Sequence, residues 1–268
     1  MVFSVGFEKN HLLRSLTADE RARWLPLLEP VELPLTRVLH EPGCTQSHTY
    51  FPTTAIVSIV NETADGASAE IAMVGNEGLV GIPLFMGGET MPSRAMVHSG
   101  GKGYRLRAQL FKDEFDRFGP VTQLILRYVQ ALITQMSQIA VCIRHHPLSQ
   151  RFCRWPLLSL DRLPGNELMM THEMIATMLG VRRESVTECA LKLHAARLIR
   201  YTRGHMWVLD RTGLEARTCE CYAVVKNEYE RLLRHHTEAV GVTNSQASRS
   251  RRVISPSARH ERSTTLQG

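Results

Sequence analysis

A chain of 268 residues with 43% apolar content is long enough for one large domain or two ordinary ones and can bury real cores. No apolar run reaches the roughly 18 to 20 residues that span a bilayer. The opening MVFSVGFEKNHLL lacks a basic segment, a long apolar stretch and a small-residue cleavage site, so a soluble cytoplasmic protein without membrane contact is expected.

The formal charge of +6 favours polyanionic partners, and its distribution sharpens the point. Seven basic residues oppose four acidic ones between Thr171 and Arg211, and five arginines oppose two glutamates from Thr237 to the end.

Residues 8 to 28 read as a helical lead-in, with Leu12, Leu13, Leu16 and then Trp24, Leu25, Leu28 at helical spacing and a capping-box start at Thr17. From about 31 to 110 the apolar runs shorten to VELPLTRVL, AIVSIV, EIAMVG, AMVHS and GYRLRA, separated by Pro and Gly punctuators. Short strands at regular turn spacing predict a β-roll or barrel.

Gly119-Pro120 then opens a long helix that stops before Pro147, because the residue ahead of a proline disfavours the helical region. Val121, Ile125, Tyr128, Leu132, Gln135, Ile139 and Cys142 alternate steps of four and three along it. That spacing predicts a coiled-coil seam with a second copy of the helix, or packing on the chain's own β-domain. Gln135, the polar member, would fix the register. Leu148 to Leu163 reads as another helix despite Pro156, and PGNEL as a loop.

Residues 171 to 199, THEMIATMLGVRRESVTECALKLHAARLI, carry the strongest signal. Thr171 is an N-cap, Met174, Ile175, Met178 and Leu179 form an apolar face, Ala176 is small where another helix must approach, and Gly180 supplies the turn. A second helix from Arg183 buries Val186, Ala190, Leu191, Leu193 and Leu198 and exposes Arg183, Glu184, Ser185, Thr187, Glu188 and Lys192. Two short helices joined in this way predict a helix-turn-helix whose second member enters a major groove. Thr171, His172, Arg182 and Arg203 complete the expected DNA-binding set. Residues 198 to 210 read as a β-hairpin with Arg203-Gly204 at its tip. In this basic wing Arg200, Arg203 and Arg211 would face phosphate.

The order of β-roll, long helix and winged helix resembles the Crp/Fnr regulators over about residues 10 to 236. The 171–199 string, the hairpin and LDRTGLE carry most of the likeness, with YFP at 50 to 52, DGASAEIAMVGNEGLVG and SRAMV in the roll. The resemblance implies an α+β architecture. A cyclic-nucleotide-binding-like sensory roll would occupy residues 1–118, a dimerisation helix 119–146, a winged helix-turn-helix 147–236 and a disordered basic tail 237–268. It also implies a homodimer on a palindromic DNA site, control of transcription through RNA polymerase, and no enzymatic activity. Arg183 and Glu184 match the family's base-reading pair, while Glu188 stands where many members carry arginine. The operator is therefore expected to differ, unless Glu188 pairs with Arg183 or Lys192.

In the nucleotide-binding members a Gly-Glu segment holds the ribose and an Arg-Ser/Ala segment the cyclic phosphate. Arg94-Ala95 matches the second, and Gly81 begins the first. Ile82 follows where the ribose carboxylate belongs, so cyclic AMP is not the expected effector. No cysteine precedes Cys44, so the family's N-terminal iron–sulfur pattern is missing. Cys219-x-Cys221 with His235 and His236 makes a poor zinc pattern, because the cysteines are too close and adjacent histidines diverge on a helix. Bystander thiols and no cofactor are expected. The competing functional class is a ligand-binding sensor whose winged helix contacts a protein. A hydrolase finds no P-loop, nucleophile elbow or metal-ligand spacing to support it.

Overall fold

The computed structural model describes residues 6–246. In chain order it contains α1 (His11–Arg14), α2 (Ala18–Trp24), β1 (Glu29–Leu33), β2 (Val38–His40), β3 (His48–Pro52), β4 (Ile56–Glu62), β5 (Ser68–Val74), α3 (Pro83–Met86), β6 (Arg94–Ser99), β7 (Gly101–Arg107) and α4 (Ala108–Phe115). Then follow α5 (Pro120–His145), α6 (Leu148–Leu160), β8 (Glu167–Met169), α7 (His172–Leu179), α8 (Arg183–Ala195), β9 (Ile199–Thr202), β10 (His205–Val208), α9 (Arg211–Glu215) and α10 (Cys221–Gln246).

The roll is two antiparallel sheets, ordered β1-β7-β3 and β2-β6-β4-β5. The first five residues of β4, Ile56 to Val60, are all buried, because both faces are covered there. Trp24, Phe51 and Phe111 meet edge to face inside, with ring centroids 5.9 to 6.3 Å apart. The expected capping box at Thr17 forms, its side chain and that of Glu20 each satisfying a backbone N–H. Gly78 permits the close approach of α5: a Cβ there would lie 2.3 Å from the ring of Tyr128.

The long helix begins and ends where Pro120 and Pro147 place it, but its neighbours differ from the expectation. Val121, Ile125, Tyr128, Leu132, Gln135, Ile139 and Cys142 are all buried within the single chain. Tyr128 donates to the carbonyl of Leu79 (2.8 Å). Gln135 accepts from the amide of Met73 (3.0 Å) and donates to its carbonyl (3.1 Å) and to Tyr229 Oη (2.9 Å). It therefore fastens the helix to β5 and α10, and cannot set a coiled-coil register. The second half of that burial comes from α10, which runs along α5 and was not anticipated. Its helix continues through Gln246, into the segment read as a tail; residues 247–268 lie outside the described residues.

A different stripe of α5 faces solvent. Leu126 is 52% exposed, Ile133 56% and Ile143 47%. With buried Val129, half-buried Met136 and exposed Ala140 they repeat at steps of three and four, the same heptad displaced by one residue around the helix.

Candidate nucleic-acid interface

α7 and α8 cross through small and apolar residues: Ile175, Ala176, Met178 and Leu179 on one side, Val186, Ala190 and Leu193 on the other, all buried. Leu191, expected inside, is exposed. Between the helices Gly180 adopts φ 62°, ψ 48°, and Val181 N–H reaches back to the Ala176 carbonyl (3.0 Å). This Schellman closure needs a residue tolerant of the left-handed region. Thr171 caps α7, accepting from Met174 N–H at 3.2 Å.

At the start of α8 Arg182, Arg183 and Glu184 are exposed. Their side chains make no hydrogen bond or ion pair among the described residues. Glu188 and Lys192 pair with each other across one turn (2.7 Å), which holds the carboxyl below the usual range and the ammonium above it. Of the two explanations open for Glu188, the geometry matches the pair with Lys192. Thr187 is committed inward: its hydroxyl donates to the Arg183 carbonyl (3.1 Å) and lies 2.9 Å from His172 Nδ1. His172 in turn packs on Tyr201, centroids 4.3 Å apart. Burial, and then the charge of Arg183, lower its pKa. His172 thus braces α7, α8 and β9. Ser185 is half-buried.

The hairpin β9–β10 turns through Arg203 (φ 51°) and Gly204 (φ 82°), the two positive angles of a type I′ turn. Arg203 is exposed at the tip. β8 adds a third strand beside β10, where PGNEL had read as loop. The other wing arginines are engaged. Arg200 stacks over Trp207 at 4.4 Å. Arg211 bonds Glu215 (2.9 Å), Tyr222 (2.8 Å) and Asp161, and so is tied into the domain's own packing.

In the roll, a cavity of about 180 Å³ lies between the four-stranded sheet and α5. Ile59, Ile71, Leu79 and Gly81 line one side and Leu132, Ile133 and Met136 the other. Among the described residues His40 is the ionisable group in its wall, and its ring Nε2 has no hydrogen-bond partner among them. Arg94 is elsewhere: on the outer surface it donates to Glu41 (2.7 Å) and faces Glu62 (3.9 Å). Ala95 is buried in β6 and does not line the cavity either. The phosphate-binding segment expected at 94–95 is therefore not assembled around this space.

Residues 150–217 match the Crp-like helix-turn-helix domain family. No curated protein sequence matches the chain. Among solved structures, the chain is similar to a Crp/Fnr-family transcriptional regulator from Eubacterium rectale (16% identity, 76% of this chain and 96% of that one, TM-score 0.61). It is also similar to the c-di-GMP-responsive global regulator CLP of Xanthomonas campestris (18%, 72% and 99%, 0.57) and to a CRP-family regulator of Thermus thermophilus (17%, 70% and 95%, 0.58). No helix among the described residues is long and apolar enough to cross a membrane. The chain carries a Crp-like helix-turn-helix domain within the fold of the Crp/Fnr transcriptional regulators.

Proposed function

We propose that this protein is a cytoplasmic, sequence-specific DNA-binding regulator that acts as a homodimer on a palindromic site and communicates with RNA polymerase. The observation that carries the reading is α8 itself. Its inner face is buried against the domain, while Arg182, Arg183 and Glu184 stand in solvent at its N-terminal end, beside a wing tipped by Arg203. Arg183 has the geometry to grip guanine O6 and N7, and Glu184 to accept from cytosine N4. Arg182 and Arg203 supply phosphate contacts that fix position without reading sequence. Glu188 and Lys192 neutralise each other, so that turn offers the duplex little net charge.

Dimerisation runs along the exposed stripe of α5, with Leu126, Ile133 and Ile143 as its largest members. The two recognition helices then lie roughly 34 Å apart, one turn of DNA. The effector is a small apolar molecule taken into the cavity between the roll and α5. The cavity's lining has neither the arginine nor the carboxylate that a cyclic nucleotide needs. A ligand there touches Ile133 and Met136, which sit on the dimer stripe, and so biases the pairing of the two helices.

Selection of bound duplexes from random sequence by the purified protein tests the reading and yields the half-site. Arg183→Ala is expected to cost about 1 to 3 kcal/mol at one base position of that half-site. Unchanged preference at every position removes Arg183 from base reading. Failure to bind any duplex at low ionic strength removes the proposed function.

A further inference from the structure

Three thiols and one imidazole converge where α5 ends and α10 begins. Cys142 lies on the last turn of α5, and His146 caps that helix, its backbone N–H bonded to the Cys142 carbonyl (3.1 Å). Cys219 and Cys221 bracket the start of α10. The four ligand-capable atoms all lie within 4.8 Å of one another. Cys142 Sγ is 3.5 Å from Cys219 Sγ, and Cys221 Sγ is 3.6 Å from His146 Nδ1.

These separations are those of ligands around one small ion. On a tetrahedral zinc, two sulfurs bound at about 2.3 Å sit about 3.8 Å apart, and a sulfur and a nitrogen about 3.6 Å. A disulfide needs about 2.05 Å and is not formed. An iron–sulfur cluster spreads its ligands over several irons and needs more room than this nest offers.

Two further features belong to a metal site more than to a chance cluster of thiols. The far nitrogen of His146, Nε2, faces Glu220 Oε1 at 3.2 Å, leaving Nδ1 for the thiol side. A carboxylate on the outer nitrogen is the arrangement that fixes the tautomer and orientation of a zinc-bound histidine. The cysteines are also segregated: Cys142, Cys219 and Cys221, at 0%, 4% and 0% exposure, form a small buried group of their own, separate from the main core. Close by is Arg154, itself buried, whose Nε and Nη1 have no hydrogen-bond partner among the described residues.

We infer that Cys142, His146, Cys219 and Cys221 form a structural Zn²⁺ site that clamps the end of α5 to the start of α10. Binding takes up one Zn²⁺ and releases three thiol protons. The resulting centre, with three thiolates and a neutral imidazole, carries one negative charge, which Arg154 offsets. The ion adds a link between the long helix and the winged domain, because Cys219 and Cys221 follow α9 directly.

The test uses the full chain, purified under reducing conditions from zinc-supplemented medium. One zinc per chain by elemental analysis is expected, as is a thiolate-to-metal charge-transfer band with intense tetrahedral visible bands when Co²⁺ replaces zinc. Cys219→Ser with Cys221→Ser abolishes both signals, while Cys44→Ser, at an exposed thiol, keeps both. Glu220→Gln, a change at an exposed side chain that leaves the core intact, keeps the stoichiometry at saturating zinc but binds about 10 to 100-fold more weakly. Three outcomes overturn the site. One is a wild-type chain with substoichiometric zinc whose Co²⁺ spectrum lacks the thiolate band. Another is stoichiometric zinc retained in the double serine variant. The third is iron with cluster absorption in place of zinc. None of these readouts depends on DNA binding.

Discussion

The proposed dimer face of α5 can be tested by truncating Leu126 and Ile133 on its outer stripe. Leu126 is 52% and Ile133 56% exposed, so each leaves about half of its side chain for a partner to cover. Leu126→Ala and Ile133→Ala each remove three carbons. At about 0.8 kcal/mol per buried methylene, half covered, that is about 1.2 kcal/mol for each side chain. A symmetric dimer loses both pairs, about 5 kcal/mol in all, or on the order of 10³-fold in dimer affinity. Sedimentation equilibrium of wild type and double variant measures the change, and urea melts of the two should show little difference in monomer stability. The contrasting pair is Ile125→Ala and Leu132→Ala, one step around the helix. Both side chains are buried in the monomer, so each should cost about 2 to 5 kcal/mol of folding stability. A dimer constant that is unchanged in the Leu126/Ile133 variant refutes the outer stripe as the interface.

Two further outcomes follow from the roll. Glu70 is buried between β4 and the winged domain, accepting from Ser58 and 3.6 Å from His98 Nδ1. Burial pushes its carboxyl up to about 7 and the His98 imidazole down to about 3. A raised folded-state carboxyl pKa means that the native state holds the extra proton, so its contribution to stability declines as pH climbs from about 4.5 through 7. The lowered His98 pKa works oppositely, adding stability as pH rises through about 6.5. Glu70→Gln removes the first effect and leaves the second. The variant should therefore gain on wild type by about 1 kcal/mol between pH 6 and pH 8 in urea midpoints, and parallel curves refute this. Gly78→Ala should destabilise by about 1 to 3 kcal/mol, read as a lower melting temperature, because the new methyl meets the fully buried Tyr128 ring at 2.3 Å.

The sequence announced the long helix and the helix-turn-helix because each rests on local chemistry. Two prolines bound α5, and Gly180 with Ala176 fixes the turn and the crossing. The expected seam and the exposed stripe of α5 differ by one residue for a physical reason. α5 is apolar on two adjacent stripes, both in heptad register, since one packs on β5 and α10 and the other faces out. Periodicity reports that a face is apolar; it does not report what covers it. Gln135 had the look of a register-setting residue and is a clamp on the β5 backbone. β8 escaped notice because three residues carry no alternation. The thiol cluster was half visible, as Cys219-x-Cys221. Its other half, Cys142 with His146, lies 77 residues upstream of Cys219 and comes near only through folding. Arg211 shows the converse: a basic residue at the edge of a wing suggests phosphate, yet Asp161 and Glu215 already hold it.

The turn at Gly180 does more than join two helices. A Cβ placed there would sit 3.4 Å from that of Ala69 in β5, so at this point the helix-turn-helix meets the β4–β5 hairpin through a bare α-carbon and a methyl group. Such small surfaces approach closely enough to fix an angle, yet they shield little hydrocarbon from water when they meet. The hold comes from elsewhere: the buried pair of Arg162 with Glu77 (2.7 Å) ties the same domain to the roll, so the turn sets the spacing at this point and the ion pair supplies the grip.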